Sequence, residues 1–185
     1  MKKDMKVIPA LFPMPVILIS TYNEDGSVDV MNAAWGCAFD YSQLYLNIDP
    51  GHKTFKNIER TKAFSVSLAD ADHIKEADFV GMVSANTVKD KFLRSGLHAS
   101  KAEKVNAPIL DDFSIVMECE AVEINKDRGI IGEIKRLAVE EKYLDANGKV
   151  DVEKLNIIAY DPFNHGYYVI NKKVGQAFSD GRKLK

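Results

Sequence analysis

The stretch Met31–Thr54, MNAAWGCAFDYSQLYLNIDPGHKT, decides how the rest of the chain is read. Asn32, Ala33 and Ala34 set small residues beside the single tryptophan, Trp35, a combination that lets a flat ring come close to backbone amides. Leu44-Tyr45-Leu46-Asn47-Ile48 then alternates apolar side chains at period two, the pattern of a half-buried strand. Asp49, Pro50 and Gly51 end it. His52, Lys53 and Thr54 open a segment in which Phe55 and Ile58 have helical spacing. The unpaired N–H groups of a helix start therefore meet a lysine charge and a threonine hydroxyl, which is phosphate-binding chemistry.

Upstream, Val16–Ser20 is almost wholly apolar, as expected of a buried strand. Asn23-Glu24-Asp25-Gly26 is a hairpin turn, and Ser27–Val30 pairs back to deliver the Asn32–Trp35 loop at its end. Pro9, Pro13 and Pro15 make the first residues an extended arm laid across the fold or a partner. Downstream, a helix over 54–61 leads to a strand, Ala63–Leu68, with alternating side chains. Ile74–Val83 reads as a helix with Phe79, Val80 and Val83 inward and Asp70 and Asp72 as candidate caps. Thr87–Asp90 resembles a capping box for a short helix to Arg94, which Gly96 stops, and 97–112 reads as a surface connection.

Phe113–Glu123 is the clearest strand, with Phe113, Ile115, Met117, Cys119 and Ala121 on one face and Ser114, Glu118 and Glu120 on the other. Asn125–Gly129 turns the chain into a second long strand, Ile130–Leu144, whose alternation slips near Lys135-Arg136 and so predicts a bulge. A turn at Asp145–Gly148, a helical turn at Val152–Leu155 and short strands at Ile157–Tyr160 and Tyr167–Ile170 follow. Many short strands with few helices argue for a mainly β, closed or sandwich-like architecture.

The 185 residues suit one domain, 1–185, and 46% hydrophobic content supplies a core. A net charge of −2 with no long Lys/Arg block gives no footprint for nucleic acid or an anionic membrane. The proline-broken N-terminal run is neither a secretory core nor a membrane span, so a cytoplasmic location is expected. Cys37 and Cys119 lack metal or disulfide spacing, and each reads as a packed side chain, although Cys37 lies close behind the Ala-Ala-Trp loop. His52, His73, His98 and His165 lack ligand spacing, so no metal is expected. Neither a GxSxG elbow nor a GxGxxG fingerprint occurs, and the carboxylates read mostly as solvent-facing.

On spacing alone Lys53 and Thr54 are an exposed lysine and a helix cap. However, Pro15–Thr21, the Asp25-Gly26 turn, Asn32–Trp35, His52–Thr54, Asn57-Ile58, Ser84-Ala85-Asn86, Asp90-Lys91-Phe92, Tyr167-Tyr168 and Val174-Gly175 together resemble, in this order, the flavin reductase-like FMN-binding split barrel, flavoredoxin-type members above all. The resemblance implies a split β-barrel of Greek-key type with a few peripheral helices, assembled as a homodimer, with Tyr41, Tyr45 and Phe163 as candidate contact aromatics. It implies noncovalent FMN, with its phosphate on His52, Lys53 and Thr54, its ring near Asn32, Ala33, Ala34 and Trp35, Ser84, Ala85 and Asn86 closing another side, and Asp49 and Lys91 as further cofactor-binding residues. Ala85 stands where many relatives would have glycine. His165 reads as a turn residue or as a gate on the nicotinamide side. The implied activity is transfer of electrons from transient NAD(P)H through FMN to free flavin or a redox partner, with no catalytic side chain required. Two alternatives are a noncatalytic carrier reduced by a protein donor and a flavin-binding barrel without a redox role.

Overall fold

Alternating β-branched and aromatic residues put more of this chain into strands than into helices, and the computed structural model describes residues 1–184. In chain order the elements are β1 (Met14–Pro15), β2 (Ile17–Tyr22), β3 (Val28–Ala33), β4 (Gly36–Asp40), β5 (Gln43–Leu46), α1 (Lys53–Thr61), β6 (Ala63–Leu68), α2 (Ile74–Met82), α3 (Lys91–Ser95), β7 (Ala99–Lys101), β8 (Pro108–Leu110), β9 (Ile115–Asn125), β10 (Gly129–Val139), β11 (Ile158–Asp161) and β12 (Gly166–Val169). A curled antiparallel half-barrel has the order β3-β2-β6-β9-β10-β5-β4. Two smaller sheets, β1-β11-β12 and β7-β8, complete the fold.

The big sheet has a core on each face, which explains why the run from Val16 to Ile19 is apolar at every position. Ile17 and Ile19 point with Phe64, Val66, Cys119 and Ile130 toward Phe55 and Ile58 of α1. Val16, Leu18 and Val30 point the other way, toward Ala77 and Val80 of α2, Leu97, Leu110 and Phe113. Each large side chain so enclosed contributes about 1.5–3 kcal/mol. The strand β6 alternates in chemistry but not in burial: Ser65 and Ser67 are as enclosed as Phe64 and Val66. The cover over them is the segment 97–112, which is not a surface connection. It folds into the β7–β8 hairpin, and the Ser65 hydroxyl donates to the Pro108 carbonyl.

The two long strands pair with two slips. One leaves Lys135 unmatched between Ile134 and Arg136, where the sequence pattern breaks; the other leaves Val122 unmatched opposite Ile131-Gly132. Gly132 is required there by close approach, since a Cβ would lie 2.3 Å from the buried tip of Phe64. The second long strand ends at Val139, five residues earlier than expected, because the chain turns into a 3-10 segment at Glu141–Tyr143.

Several local expectations are corrected. Phe113 lies outside β9 and packs with the α2 side of the sheet, while Met117 and Cys119 pack on the α1 side. Glu118 is fully buried, not solvent-facing: it accepts from the Glu103 and Lys104 N–H groups and from Arg136. Phe79 and Val83 are half-buried, and only Ala77 and Val80 of α2 are enclosed. Asp70 holds the turn before α2 by accepting from the Asp72 and His73 N–H groups, whereas Asp72 caps nothing. No capping box forms at Thr87, whose hydroxyl donates back to the Ser84 carbonyl, and α3 starts only at Lys91. Cys37 is exposed on the edge strand β4 and so is not a packing residue, while Cys119 is buried.

Candidate functional site

β3 is an edge strand, paired with β2 only, so its outer row of backbone N–H and C=O groups faces away from the sheet. A cleft of about 510 Å³ follows that edge, lined by Asp29 and by every residue from Met31 to Trp35. The strand continues through Asn32 and Ala33, which oppose Leu18 and Ile17, so the expected Asn32–Trp35 loop shrinks to a bend at Ala34-Trp35. The bend is held by the Asn47 N–H donating to the Trp35 carbonyl at 2.8 Å.

One end of the cleft is the start of α1. The first intrahelical bond runs from the Lys56 N–H to the His52 carbonyl, leaving the amides of Lys53, Thr54 and Phe55 without a helical acceptor. Asp49 fixes this helix start: its Oδ1 accepts from the Gly51 N–H at 2.6 Å and its carbonyl from the His52 N–H. Asn86 does not line the cleft. It reaches across from the loop between α2 and α3 and donates to the Gly51 carbonyl at 2.9 Å, bracing the same turn. The Thr54 hydroxyl is donated to Asp29 Oδ2 at 2.6 Å, so toward the cleft only its backbone N–H remains as a donor.

Beneath the helix start lies Lys91, 4% exposed, which forms no ion pair with a carboxylate among the described residues. Burial pushes its ammonium below the ordinary lysine range, and the nearby Asp29 carboxylate offsets this only in part. Asp29 is itself 2% exposed, and its Oδ1 has no partner. Ser84 and Ala85 form the adjoining wall.

The other end is built from three elements. Asn32 Nδ2 donates to the Ala77 carbonyl of α2 at 2.9 Å, which ties one amide hydrogen down and leaves the amide oxygen without a hydrogen bond among the described residues. Gly81 permits that packing, because a Cβ there would lie 3.1 Å from Asn32 Cβ. From β12 the Tyr167 hydroxyl donates to Asp78 Oδ1 at 2.8 Å; burial, reinforced by the carboxylate, pushes its pKa up to about 12. Tyr160 of β11 lies between Tyr167 and Trp35, with ring centroids 6.2 and 6.5 Å away. His165 does not line the cleft; it occupies a turn at φ +58° with Nδ1 bonded to the Tyr160 hydroxyl behind the wall.

The structure thus brings Asn32, Ala33, Ala34, Trp35, Asp49, His52, Lys53, Thr54, Ser84, Ala85 and Lys91 around one cleft and leaves Asn86 and His165 behind it. It also adds Asp29, Asp78, Tyr160 and Tyr167, none of which spacing pointed to. Asp29 carried one signal, a carboxylate between Val28 and Val30 in a strand. Asp78 carried none, and Tyr167 stood only in the Tyr167-Tyr168 string of the resemblance, 89 residues away in sequence. Among the described residues no group of three or more His, Cys, Asp or Glu is placed to hold a metal, and no helix is long and apolar enough to cross a membrane.

The fold and cleft agree with comparisons to known proteins. Residues 10–153 match the flavin reductase like domain, and the chain belongs to that family. Flavoredoxin of Desulfovibrio vulgaris (Miyazaki F) superposes with a TM-score of 0.94 at 27% identity, covering 98% of this chain and all of that one. Flavoredoxin from Methanosarcina acetivorans gives 0.87 at 25%, with both chains covered in full. An FMN-binding domain of a flavin reductases-like enzyme from Shewanella baltica gives 0.78 at 20% over 88% of each chain, a likeness of fold alone. The half-barrel is therefore that of split-barrel flavin reductase-like proteins. An uncharacterized protein of Aeropyrum pernix is 28% identical over 116 residues, 62% of this chain and 44% of that protein, so the match spans less than half of the relative's length.

Proposed function

We propose that this protein holds one FMN noncovalently along the edge of β3 and passes electrons through it from NAD(P)H to free flavin or a redox partner. The observation that carries the reading is the pairing of two unlike ends in one cleft. At one end the α1 amides, Lys53 and the desolvated Lys91 converge; at the other stands a strand edge with an aromatic wall. Asp29 and Asn32, which mark the two ends, are three residues apart on β3, or about 10 Å at the usual strand rise. A ribityl chain bridges such a gap.

The fit is specific at the anion end. A buried ammonium without a carboxylate partner and three free helix amides favour a dianionic phosphate over any neutral group. Lys53 and Lys91 would neutralise it, Ser84 would donate to it, and Asp49 and Asn86 would keep the helix start aimed. The backbone edge of Asn32–Ala34 would meet the polar rim of the ring, with Trp35 and Tyr160 against its apolar part. Bound flavin supplies hydride and electron transfer, so these side chains need only bind, orient and exclude water.

The half-exposed Trp35 leaves the ring end open to a loosely docked nicotinamide. Exposed Phe39, Tyr41 and Phe163 supply the apolar surface for a homodimer contact. Two free thiols fit a reducing cytoplasm.

The deciding experiment is an anaerobic visible spectrum of the FMN-loaded protein before and after NADH or NADPH. Rapid bleaching with one nicotinamide is expected. Stable FMN binding without bleaching by either assigns a carrier reduced by a protein donor, and failure to bind FMN at all rejects the reading.

A further inference from the structure

Asp78 is the one carboxylate on the α2 side of the cleft wall, next to the carbonyl that anchors Asn32. Its Oδ1 takes the Tyr167 hydroxyl, and Oδ2 has no protein partner among the described residues. No cation among the described residues forms an ion pair with it. The lysines that line the cleft, Lys53 and Lys91, sit at the α1 start and the α3 start, at the other end of the β3 edge. The α1 end thus sets two ammonium groups and the helix amides against Asp29 and Asp49, whereas the Asn32 end carries a carboxylate with no lysine beside it.

We propose that Asp78, aimed by Tyr167, sets the reducing strength of the bound flavin. This inference rests on the flavin reading above. A hydride delivered to the neutral ring leaves it one charge more negative unless a second proton follows. A carboxylate fixed at the ring end opposes that charge, more strongly in a partly desolvated cleft than in water. Asp78 thereby makes the loaded protein a stronger electron donor, as delivery to a further acceptor requires. Tyr167 is a positioning residue here. With its proton firmly held it donates to Asp78 and keeps the carboxylate from turning toward solvent.

The test is the midpoint potential of bound FMN, measured against reference dyes, together with the Kd of oxidised FMN, for wild type, Asp78→Asn and Tyr167→Phe. Asp78→Asn is expected to leave the Kd of oxidised FMN within about threefold and to tighten reduced FMN at least tenfold. For a two-electron couple that is a rise of about 30 mV. Tyr167→Phe keeps the charge and is expected to move the potential less than Asp78→Asn does. An unchanged potential in Asp78→Asn overturns the inference and leaves FMN binding intact. Equal upward shifts in both variants also overturn it, since a merely structural disturbance would produce them. If wild type binds no FMN, it is the flavin reading that fails. Should Asp78→Asn not fold, Asp78→Ala is read in its place.

Discussion

Lys91 is the side chain whose chemistry most needs a ligand. Buried and short of a counter-ion, it titrates below ordinary lysine in the free protein, while a bound phosphate dianion would restore its charge. FMN affinity is thus full between the phosphate's own second pKa of about 6 and the lowered lysine pKa, and falls as pH rises through the latter; riboflavin, lacking phosphate, shows no such fall. Lys91→Ala is expected to weaken FMN about tenfold or more, roughly 1.4 kcal/mol, and to spare riboflavin, as fluorescence titrations across pH would show. Glu118 makes the opposite demand. Burial raises its pKa, but the Lys104 and Glu103 N–H groups and Arg136 outweigh this and hold it low. Its stabilisation is complete above the unfolded carboxylate value of 4.5 and is lost as pH falls through the lowered folded value. Glu118→Gln should cost about 3 kcal/mol near neutrality and flatten the acid limb of Tm against pH. Charged residues at this scale were half legible in the sequence. Lys53 and Lys91 stood in recognisable strings, whereas the partners that fix Glu118 and Asp78 come from remote segments.

At the level of elements, the sequence showed most where side-chain period and turn chemistry agreed. The β2–β3 hairpin, α1 and the slip at Lys135 follow from local pattern, because each repeats or breaks a period over several residues. The β7–β8 hairpin did not, since three-residue strands carry no period; only their role as cover for Ser65 and Ser67 explains them. The second slip, at Gly132, lies where the backbone runs close over the buried Phe64 ring. Gly132→Ala should destabilise by about 1–3 kcal/mol through overpacking against Phe64. Combining it with Phe64→Leu should recover part of that loss, a coupling that a double-mutant cycle of urea melts would reveal.

For the whole molecule, the exposed aromatics Phe39, Tyr41 and Phe163 predict association. Sedimentation should give twice the chain's mass, and Phe39→Asp with Tyr41→Asp should shift it toward one chain while the far-UV spectrum stays unchanged. The fold class was legible as a whole because so many short strands with so few helices leave few architectures; the second core was not, because nothing in β6 announces that its serines are covered. The order in which the parts are made matters as well. All seven strands of the large sheet lie between Ile17 and Val139, but the aromatic wall beside Trp35 comes from β11 and β12. In synthesis the seven strands of the half-barrel are therefore made before Tyr160 and Tyr167. The phosphate end of the cleft is made early and the aromatic wall of its ring end later, so a chain cut before β11 would be left with an open groove.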